Sequence, residues 1–205
     1  PSGLKAPYNM QAWSQLRMHH VEDVAFLGGY HQPTIACLGQ AKPSWGGCIS
    51  ETCKAESSVV VLVLDLVQRS SHLIWASHGL EDDIFRIVPL PPPTSGVLAI
   101  SQNAVTYLKE HGSSFTQALN LAGMPVDPEE NSRTRAIRNE SKLDILLANC
   151  SAVVLSPTVV LFSIHPTGRL YLAHLVLTGR DIVTDIVWTS PGQHSPAWEL
   201  RNWGE

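Results

Sequence analysis

Histidine and serine are the residues of this sequence that could carry hydrolytic chemistry, and both are abundant. Nine histidines occur, among them His19, His20, His31, His78 and His174. A hydrolase needs a nucleophile, a base and a group that orients the base, all within hydrogen-bonding distance. No serine lies in a Gly-x-Ser-x-Gly turn, and no histidines form a His-Glu-x-x-His motif. We therefore interpret the histidines as polar groups of loops and strand ends, and we predict no catalytic residue and no enzyme activity.

Four cysteines, Cys37, Cys48, Cys53 and Cys150, are the candidate metal ligands. Cys48 and Cys53 are separated by four residues, which is within the range of zinc-ligand spacings. A structural zinc ion takes four ligands, and no second pair at such spacing follows. The acidic run 81–83 lacks the spacing of a calcium loop, and we expect it to solvate a turn. We expect reduced, partly buried thiols, no bound metal and no other cofactor.

Trp45, Arg133, Arg135 and Arg138 are the candidate nucleic-acid contacts. Trp45 lies in a Gly-rich polar stretch, where an exposed ring could stack on a base. The three arginines form the one basic cluster, and such a cluster could contact phosphates. Neighbouring glutamates offset this charge, and the formal net charge of the chain is −4. A solvated loop is therefore the favoured interpretation, and any RNA contact is predicted to be weak or made through partners.

The start of the sequence and its apolar runs bear on the cellular location. The sequence opens at Pro1 and shows no charged and then apolar leader, so we expect no signal peptide. The apolar run 58–67 contains Asp65 and is too short to span a bilayer. We expect an intracellular protein without membrane contact, of which this sequence is one piece.

Short apolar runs rich in β-branched residues recur along the sequence, bounded by Gly, Pro and Asn. This pattern is typical of strands joined by tight turns. Trp75 and Trp188 lie inside such runs and are predicted to pack in the core, whereas 115–121 fits either one helical turn or an irregular strand. The predicted strands are 21–27, 34–38, 57–67, 72–76, 84–90, 96–100, 104–108, 143–148, 152–155, 159–164, 170–177 and 181–188.

The segments between and around these runs suggest a domain organisation. We predict an irregular lead-in at 1–20, a β-domain at 21–189 and an irregular tail at 190–205. Two loop insertions are predicted inside the domain, at 40–56 and 124–142. The second holds two prolines, many charges and few apolar residues, so we expect an exposed and mobile loop.

The short connections predict antiparallel meanders, and they restrict the fold class. Only 16% of the residues are charged, below the usual value of about 25%, which argues against a helical bundle with charged faces. A β-propeller arranges four-stranded meanders radially and closes with about four to eight of these blades. Eleven or twelve strands supply about three blades. We therefore predict an all-β chain that forms part of a propeller and does not close into a ring.

Residues 24–34 read VAFLGGYHQPT and open a series of short stretches. Taken in order, these stretches resemble the family of the largest subunit of the cleavage and polyadenylation specificity factor. In that family one strand ends in Phe-Leu-His-Gly-Tyr and the next opens with Glu-Pro-Thr. Residues 24–34, VAFLGGYHQPT, are similar and depart from this motif at Gly28 and Gln32. The order and spacing of the similar stretches agree over roughly residues 20–185, and the further stretches are 72–76, 88–91, 96–98, 103–108, 168–171 and 177–180.

The resemblance implies both a fold and a function. It implies seven-bladed propellers, of which these residues belong to the first. It also implies a non-catalytic nuclear scaffold in mRNA 3′-end cleavage and polyadenylation. The partners that it implies are the zinc-finger and WD-repeat subunits that recognise the polyadenylation signal, with RNA contacted indirectly or weakly.

Two other functions remain open from the sequence. The damaged-DNA-binding large subunit and a large U2-associated splicing subunit share the propeller architecture, so the chain could belong to an adaptor of a ubiquitin ligase or of a splicing complex. It could also be a small independent β-domain that acts as an enzyme or a ligand binder. An independent domain would melt cooperatively when expressed alone, whereas the exposed edges of an open propeller favour aggregation.

Overall fold

The computed structural model describes residues 18, 20–40, 57–110, 114–123, 137–138, 143–179 and 182–191. Nearly all of the predicted lead-in 1–20 and tail 190–205 lies outside these ranges, as do residues 41–56 of the first predicted insertion. The described part contains strands, turns and one 3-10 turn at Leu121–Gly123, and it contains no α-helix.

Thirteen strands are described, and most of them coincide with apolar runs of the sequence. They are β1 His20–Leu27, β2 Thr34–Gln40, β3 Ser57–Asp65, β4 Ser70–Leu80, β5 Arg86–Pro89, β6 Val97–Ile100, β7 Ala104–Leu108, β8 Phe115–Ala118, β9 Ile137–Arg138, β10 Cys150–Ser156, β11 Val159–Ile164, β12 Arg169–Thr178 and β13 Ile182–Thr189.

The strands form three separate sheets in chain order. The first sheet is β1–β4, the second is β5–β9 and the third is β10–β13, and within each sheet every strand pairs with the next one in sequence. All pairs are antiparallel except that β9 runs parallel to β8, with Thr116 opposite Ile137. The predicted all-β chain of three antiparallel meanders is thereby confirmed.

The first and second sheets pack face to face. β-branched and aliphatic side chains of alternate strand positions point into the gap between the sheets, as the period of two in a strand requires. Trp75 packs against this cluster, which confirms its predicted place in the core. The buried members are Leu27, Ala36, Leu38, Val59, Val61, Leu80, Ile84, Ile87, Val97, Ala99 and Leu108.

The second and third sheets share another apolar cluster, which is the largest that the described residues form. From the second sheet it takes Leu98, Ile100 and Tyr107, and from the third it takes Phe162 and Leu175. Trp188 packs against the same cluster, and its ring centroid lies 5.1 Å from that of Phe162, so its predicted core position is confirmed.

The three sheets stack in an open arrangement. The third cluster, around Ile35, Cys37, Val60 and Leu62, lies on the face of the first sheet that points away from the second. None of the clusters formed by the described residues joins the first sheet to the third. The stack therefore does not close into a ring within the described part, as the strand count predicts.

Two segments differ from the sequence prediction. Residues 143–148, predicted to form a strand, pair with none of the described strands. Instead, Ile145 N–H donates to Leu119 O at 3.1 Å and Leu147 N–H donates to Gln102 O at 2.9 Å, so this segment bonds to turns of the second sheet. Within the predicted loop insertion 124–142, β9 extends the second sheet by a fifth strand.

Candidate protein-interaction surfaces

The first strands of the three sheets lie side by side and are joined by two charged side chains. The Asp23 carboxylate of β1 accepts the N–H of Val24 through Oδ1 and the N–H of Ile87 on β5 through Oδ2, both at 2.9 Å. Arg86 of β5 donates from Nη1 to Cys150 O on β10 at 3.0 Å. Hydrogen bonds to charged groups contribute about 1.5–3 kcal/mol each, so these links fix the sheets relative to one another.

Two buried thiols lie within the sheets. Cys37 and Cys150 are both free and buried. Burial raises the pKa of Cys37 to about 11. Burial also raises the pKa of Cys150, and the nearby Arg86 charge partly opposes this shift. Both groups are therefore protonated at neutral pH and pack as small apolar side chains. Cys48 and Cys53 lie outside the described residues.

Asn120 joins the second sheet to the segment that leads into the third. Its Nδ2 donates to Asn103 Oδ1 and to Ile145 O, each at 2.9 Å. Its Oδ1 accepts the N–H groups of Ala122 at 3.0 Å and Gly123 at 3.2 Å. One side chain thus holds the β6–β7 turn, the 3-10 turn and residue 145 in a single arrangement.

β8 of the second sheet and β13, the outer strand of the third sheet, meet at Gln117 and Trp188. Gln117 on β8 is fully buried, and its Oε1 accepts the Trp188 indole N–H at 2.8 Å. Its Nε2 has no hydrogen-bond partner among the described residues. A buried amide with one satisfied atom contributes specificity to the packing rather than net stability.

We expect the Trp188 and Gln117 substitutions to be strongly coupled. Trp188→Phe leaves the whole Gln117 amide unpaired, so it should destabilise the chain by about 2–3 kcal/mol. In a Gln117→Met background the same change should cost at least about 1 kcal/mol less, because no buried amide remains to be left unpaired. A double-mutant cycle by urea denaturation measures this coupling, and additive losses would contradict the assigned hydrogen bond.

Asp83 lies at the entry to the second sheet and carries a perturbed carboxyl group. Burial, and secondly the charge of Asp82, raise its pKa above the ordinary value of 3.8, although the Gln102 N–H bonds to Oδ2 at 3.2 Å. The folded state therefore binds this proton more tightly than the unfolded state does. The contribution of Asp83 to stability is consequently highest at low pH and is lost as the pH rises through the raised pKa.

Because folding raises the pKa of Asp83, we expect the Asp83→Asn substitution to have a pH-dependent effect on stability. The free energy of unfolding of the variant, minus that of the unsubstituted chain, should increase as the pH rises from 3.8 through the raised pKa and then level off. Urea denaturation at a series of pH values measures it, and a difference that falls with pH would contradict the burial of this carboxyl group.

Hydroxyl and imidazole groups pair at four places on the sheets. Ser70 contacts His72, Ser58 contacts His78, Ser151 contacts His165 and Thr189 contacts His174, at 3.0–3.3 Å. Each pair is formed by side chains of one sheet or of its turn, and the four pairs do not share a site. In the part of the chain that the structure describes, no group of three or more His, Cys, Asp or Glu side chains could hold a metal ion.

The outer face of the third sheet is apolar and exposed. We define this face by Val153, Leu161, Leu170, Leu172 and Val187, whose side chains point away from the second sheet. Val153, Leu161 and Leu172 stand opposite one another on three neighbouring strands. Val153 is 57% exposed. His174 and Thr189 lie on the same face and bond to each other, so the apolar side chains share it with polar ones. Exposed apolar side chains of this kind are typical of surfaces that contact another protein segment.

The predicted RNA contacts are not assembled into a site by the described residues. Trp45, Arg133 and Arg135 lie outside the described ranges. Arg138 is in β9 and stands opposite Gln117 on the outer edge of the second sheet. The described residues also include no helix with the length and hydrophobicity that a bilayer crossing requires.

Three stacked antiparallel meanders, joined along their first strands, define part of a β-propeller. The chain is 30% identical over 168 residues to the probable cleavage and polyadenylation specificity factor subunit 1 of Oryza sativa subsp. japonica, and the match covers 80% of this chain and 11% of the relative. The chain belongs to the family of cleavage and polyadenylation specificity factor subunit 1.

Further relatives carry related names. The protein cft1 of Neurospora crassa is 32% identical over 165 residues, which cover 80% of this chain and 10% of the relative. The cleavage and polyadenylation specificity factor subunit 1 of Arabidopsis thaliana is 28% identical over 170 residues, which cover 82% of this chain and 11% of the relative. The chain spans about a tenth of the length of these relatives. No family model matches the chain.

Proposed function

We propose that the chain is part of a non-catalytic scaffold subunit of the nuclear machinery for mRNA 3′-end cleavage and polyadenylation. The observation that carries this proposal is the similarity to the rice and Arabidopsis subunits over 80% and 82% of the chain. The names of these relatives refer to cleavage and polyadenylation, and they favour this function over an adaptor of splicing or of a ubiquitin ligase.

The way the sheets are joined supports a scaffold role. A scaffold binds its partners best when its surfaces keep a fixed relative orientation, because ordering a mobile surface during binding costs free energy. Asp23 and Arg86 join the first strands, Asn120 joins the second sheet to residue 145, and Trp188 bonds to Gln117 at the outer strands. Interactions at both the inner and outer edges oppose hinge motion between the second and third sheets.

The exposed surfaces support a role in assembling other subunits. The apolar side chains on the outer face of the third sheet offer a site against which the next blade of a propeller can pack. The turns at the ends of the strands then stay accessible for contact with partner subunits. The partners in this proposal are zinc-finger and WD-repeat subunits that recognise the polyadenylation signal. Weak RNA contact, if it occurs in this region, is assigned to Trp45, Arg133, Arg135 and Arg138.

Affinity purification of the full-length gene product from nuclear extract tests the proposal. We expect co-purification of zinc-finger and WD-repeat subunits of the polyadenylation machinery, identified by mass spectrometry. A matched purification after RNase treatment shows that RNA does not bridge the proteins. Recovery of splicing or ubiquitin-ligase subunits without polyadenylation subunits would overturn the proposed function.

A further inference from the structure

The outer edges of the first and third sheets are irregular. An edge strand exposes backbone N–H and C=O groups that can pair with another strand, and natural proteins usually block such edges. The pairing of β3 with β4 and the pairing of β12 with β13 each contain a shift of register. On β13, Asp185 Oδ1 also accepts the N–H of Ile186 at 2.9 Å. Bulges and charges of this kind disfavour the addition of a strand.

Strand β8 of the second sheet has neither of these features. Its pairing with β7 runs through four residue pairs without a shift of register. Its sequence at 115–118, Phe-Thr-Gln-Ala, contains no charged residue and no proline. A regular and uncharged strand of this kind is a favourable template for another strand, so its edge needs protection from elsewhere.

The backbone groups of Thr116 and Ala118 form the outer edge of β8. Leu119 donates its N–H to Asn103 O, on the side of β7, at 2.8 Å. Residues of an antiparallel strand alternate in direction, so the N–H and C=O groups of Thr116 and Ala118 point away from β7. The hydroxyl contact of Thr116 with Thr106, at 3.0 Å, agrees with this, because side chains lie closest at the pairs without backbone hydrogen bonds.

Strand β9 covers this edge through the backbone of one residue. It runs parallel to β8, with Ile137 opposite Thr116 and Arg138 opposite Gln117. In this register the N–H of Arg138 faces Thr116 O and the C=O of Arg138 faces the N–H of Ala118. The N–H and C=O of Ile137 point away from β8. The two residues of β9 therefore differ in whether their backbone takes part in covering the edge.

We infer that β9 is a protective strand, which keeps β8 from pairing with β8 of a second copy of the protein. A two-fold axis at Gln117 would place Thr116 of one copy opposite Ala118 of the other, so the outward backbone groups of both copies would meet. Residues 115–118 carry no charge that would repel their own copy. The uncovered edge is thus complementary to itself, which assigns the competing strand to a second copy. This role is independent of the proposed scaffold function.

Proline substitutions at the two positions of β9 test the inference. In the full-length protein, Arg138→Pro removes the N–H that faces β8, whereas the matched control Ile137→Pro removes an N–H that points away from it. Analytical ultracentrifugation over a range of concentrations measures the dissociation constant of dimers. We expect Arg138→Pro to lower this constant at least about tenfold and Ile137→Pro to leave it within about twofold of the original value. The same constant for all three proteins would overturn the inference.

A further variant tests whether the dimers form through β8. Adding Ala118→Pro to Arg138→Pro removes an outward N–H of β8 and leaves its bonds to β7 in place, so the gain in dimerisation should disappear. Dimers that persist in this double variant would overturn the inference. If thermal melting shows that Arg138→Pro does not fold, Arg138→Gly takes its place, because glycine weakens a strand without removing the N–H. A folded Arg138→Gly variant that dimerises no more than the unsubstituted protein would equally overturn it.

Discussion

Replacing Gly96 with alanine should destabilise the chain by about 3–5 kcal/mol, the largest effect of a single methyl group that the structure predicts. Gly96 precedes β6 and has φ +83°. A Cβ at this position would overlap the carbonyl oxygen of Leu108 and would lie 3.2 Å from Tyr107 Cε2. The overlapping atom is backbone of β7, which cannot move without breaking its pairing with β6. Equilibrium urea denaturation measures the loss.

Gly168 provides a matched control for this prediction. It has φ +68°, which is similarly unfavourable for alanine, but no atom lies within 4 Å of the position its Cβ would take. Gly168→Ala should therefore cost only the conformational term, about 1–2 kcal/mol. Equal losses for the two variants would contradict the close approach of β7 to Gly96.

Replacing Asn120 with aspartate should cost about 3–4 kcal/mol at neutral pH, the second large effect. The change removes both donated hydrogen bonds and places a charged oxygen beside Ile145 O and Asn103 Oδ1. The bonds from Ala122 N–H and Gly123 N–H are kept, so the loss reports on the donors alone. Urea denaturation, together with hydrogen exchange at the amide of Ile145, measures both the global and the local effect.

Asn149 is the matched control for the Asn120 substitution. It is exposed, and its φ of 54° is one that aspartate also tolerates. Asn149→Asp should change the free energy of unfolding by less than about 0.5 kcal/mol. A comparable loss in the two variants would mean that the added charge, and not the network around Asn120, determines stability.

The sheets could be predicted from the sequence where local patterns determine structure. The β6–β7 hairpin, Val97–Ile100 and Ala104–Leu108, follows from two apolar runs around a short polar turn, and the structure agrees to within one residue. The same holds for β11 and β12 around the turn at 166–168. In these places hydrophobic periodicity and turn residues act over a few positions and leave one arrangement.

The links between sheets could not be predicted, because they depend on which strands become neighbours in space. Asp23 and Arg86 are charged residues within predicted strands, and only the stacking of the sheets supplies their partners, Ile87 and Cys150. Asn120 reads as a turn residue, yet it bonds to residue 145 across a long connection. A lone charged residue inside a strand was the one signal that could have indicated such links.

Residues 143–147 show the opposite case, in which a local pattern was misleading. The apolar run predicts a strand, but carbonyl oxygens in the neighbouring turns of the second sheet accept hydrogen bonds from its N–H groups. Tertiary contacts therefore override the β-propensity of this run. The candidate RNA contacts Trp45, Arg133, Arg135 and Arg138 remain predictions from the sequence. The domain bounds at 21–189 also remain a prediction.

We propose that this chain belongs to a scaffold on which mRNA 3′-end processing depends, and a depletion experiment tests this proposal most directly. Nuclear extract of the source organism is depleted of the full-length protein, and cleavage of a transcript with a polyadenylation signal is measured beside splicing of a second transcript. We expect cleavage to be lost, splicing to persist, and cleavage to return when the purified protein is added with its bound subunits. Cleavage that continues unchanged in the depleted extract would contradict the claim.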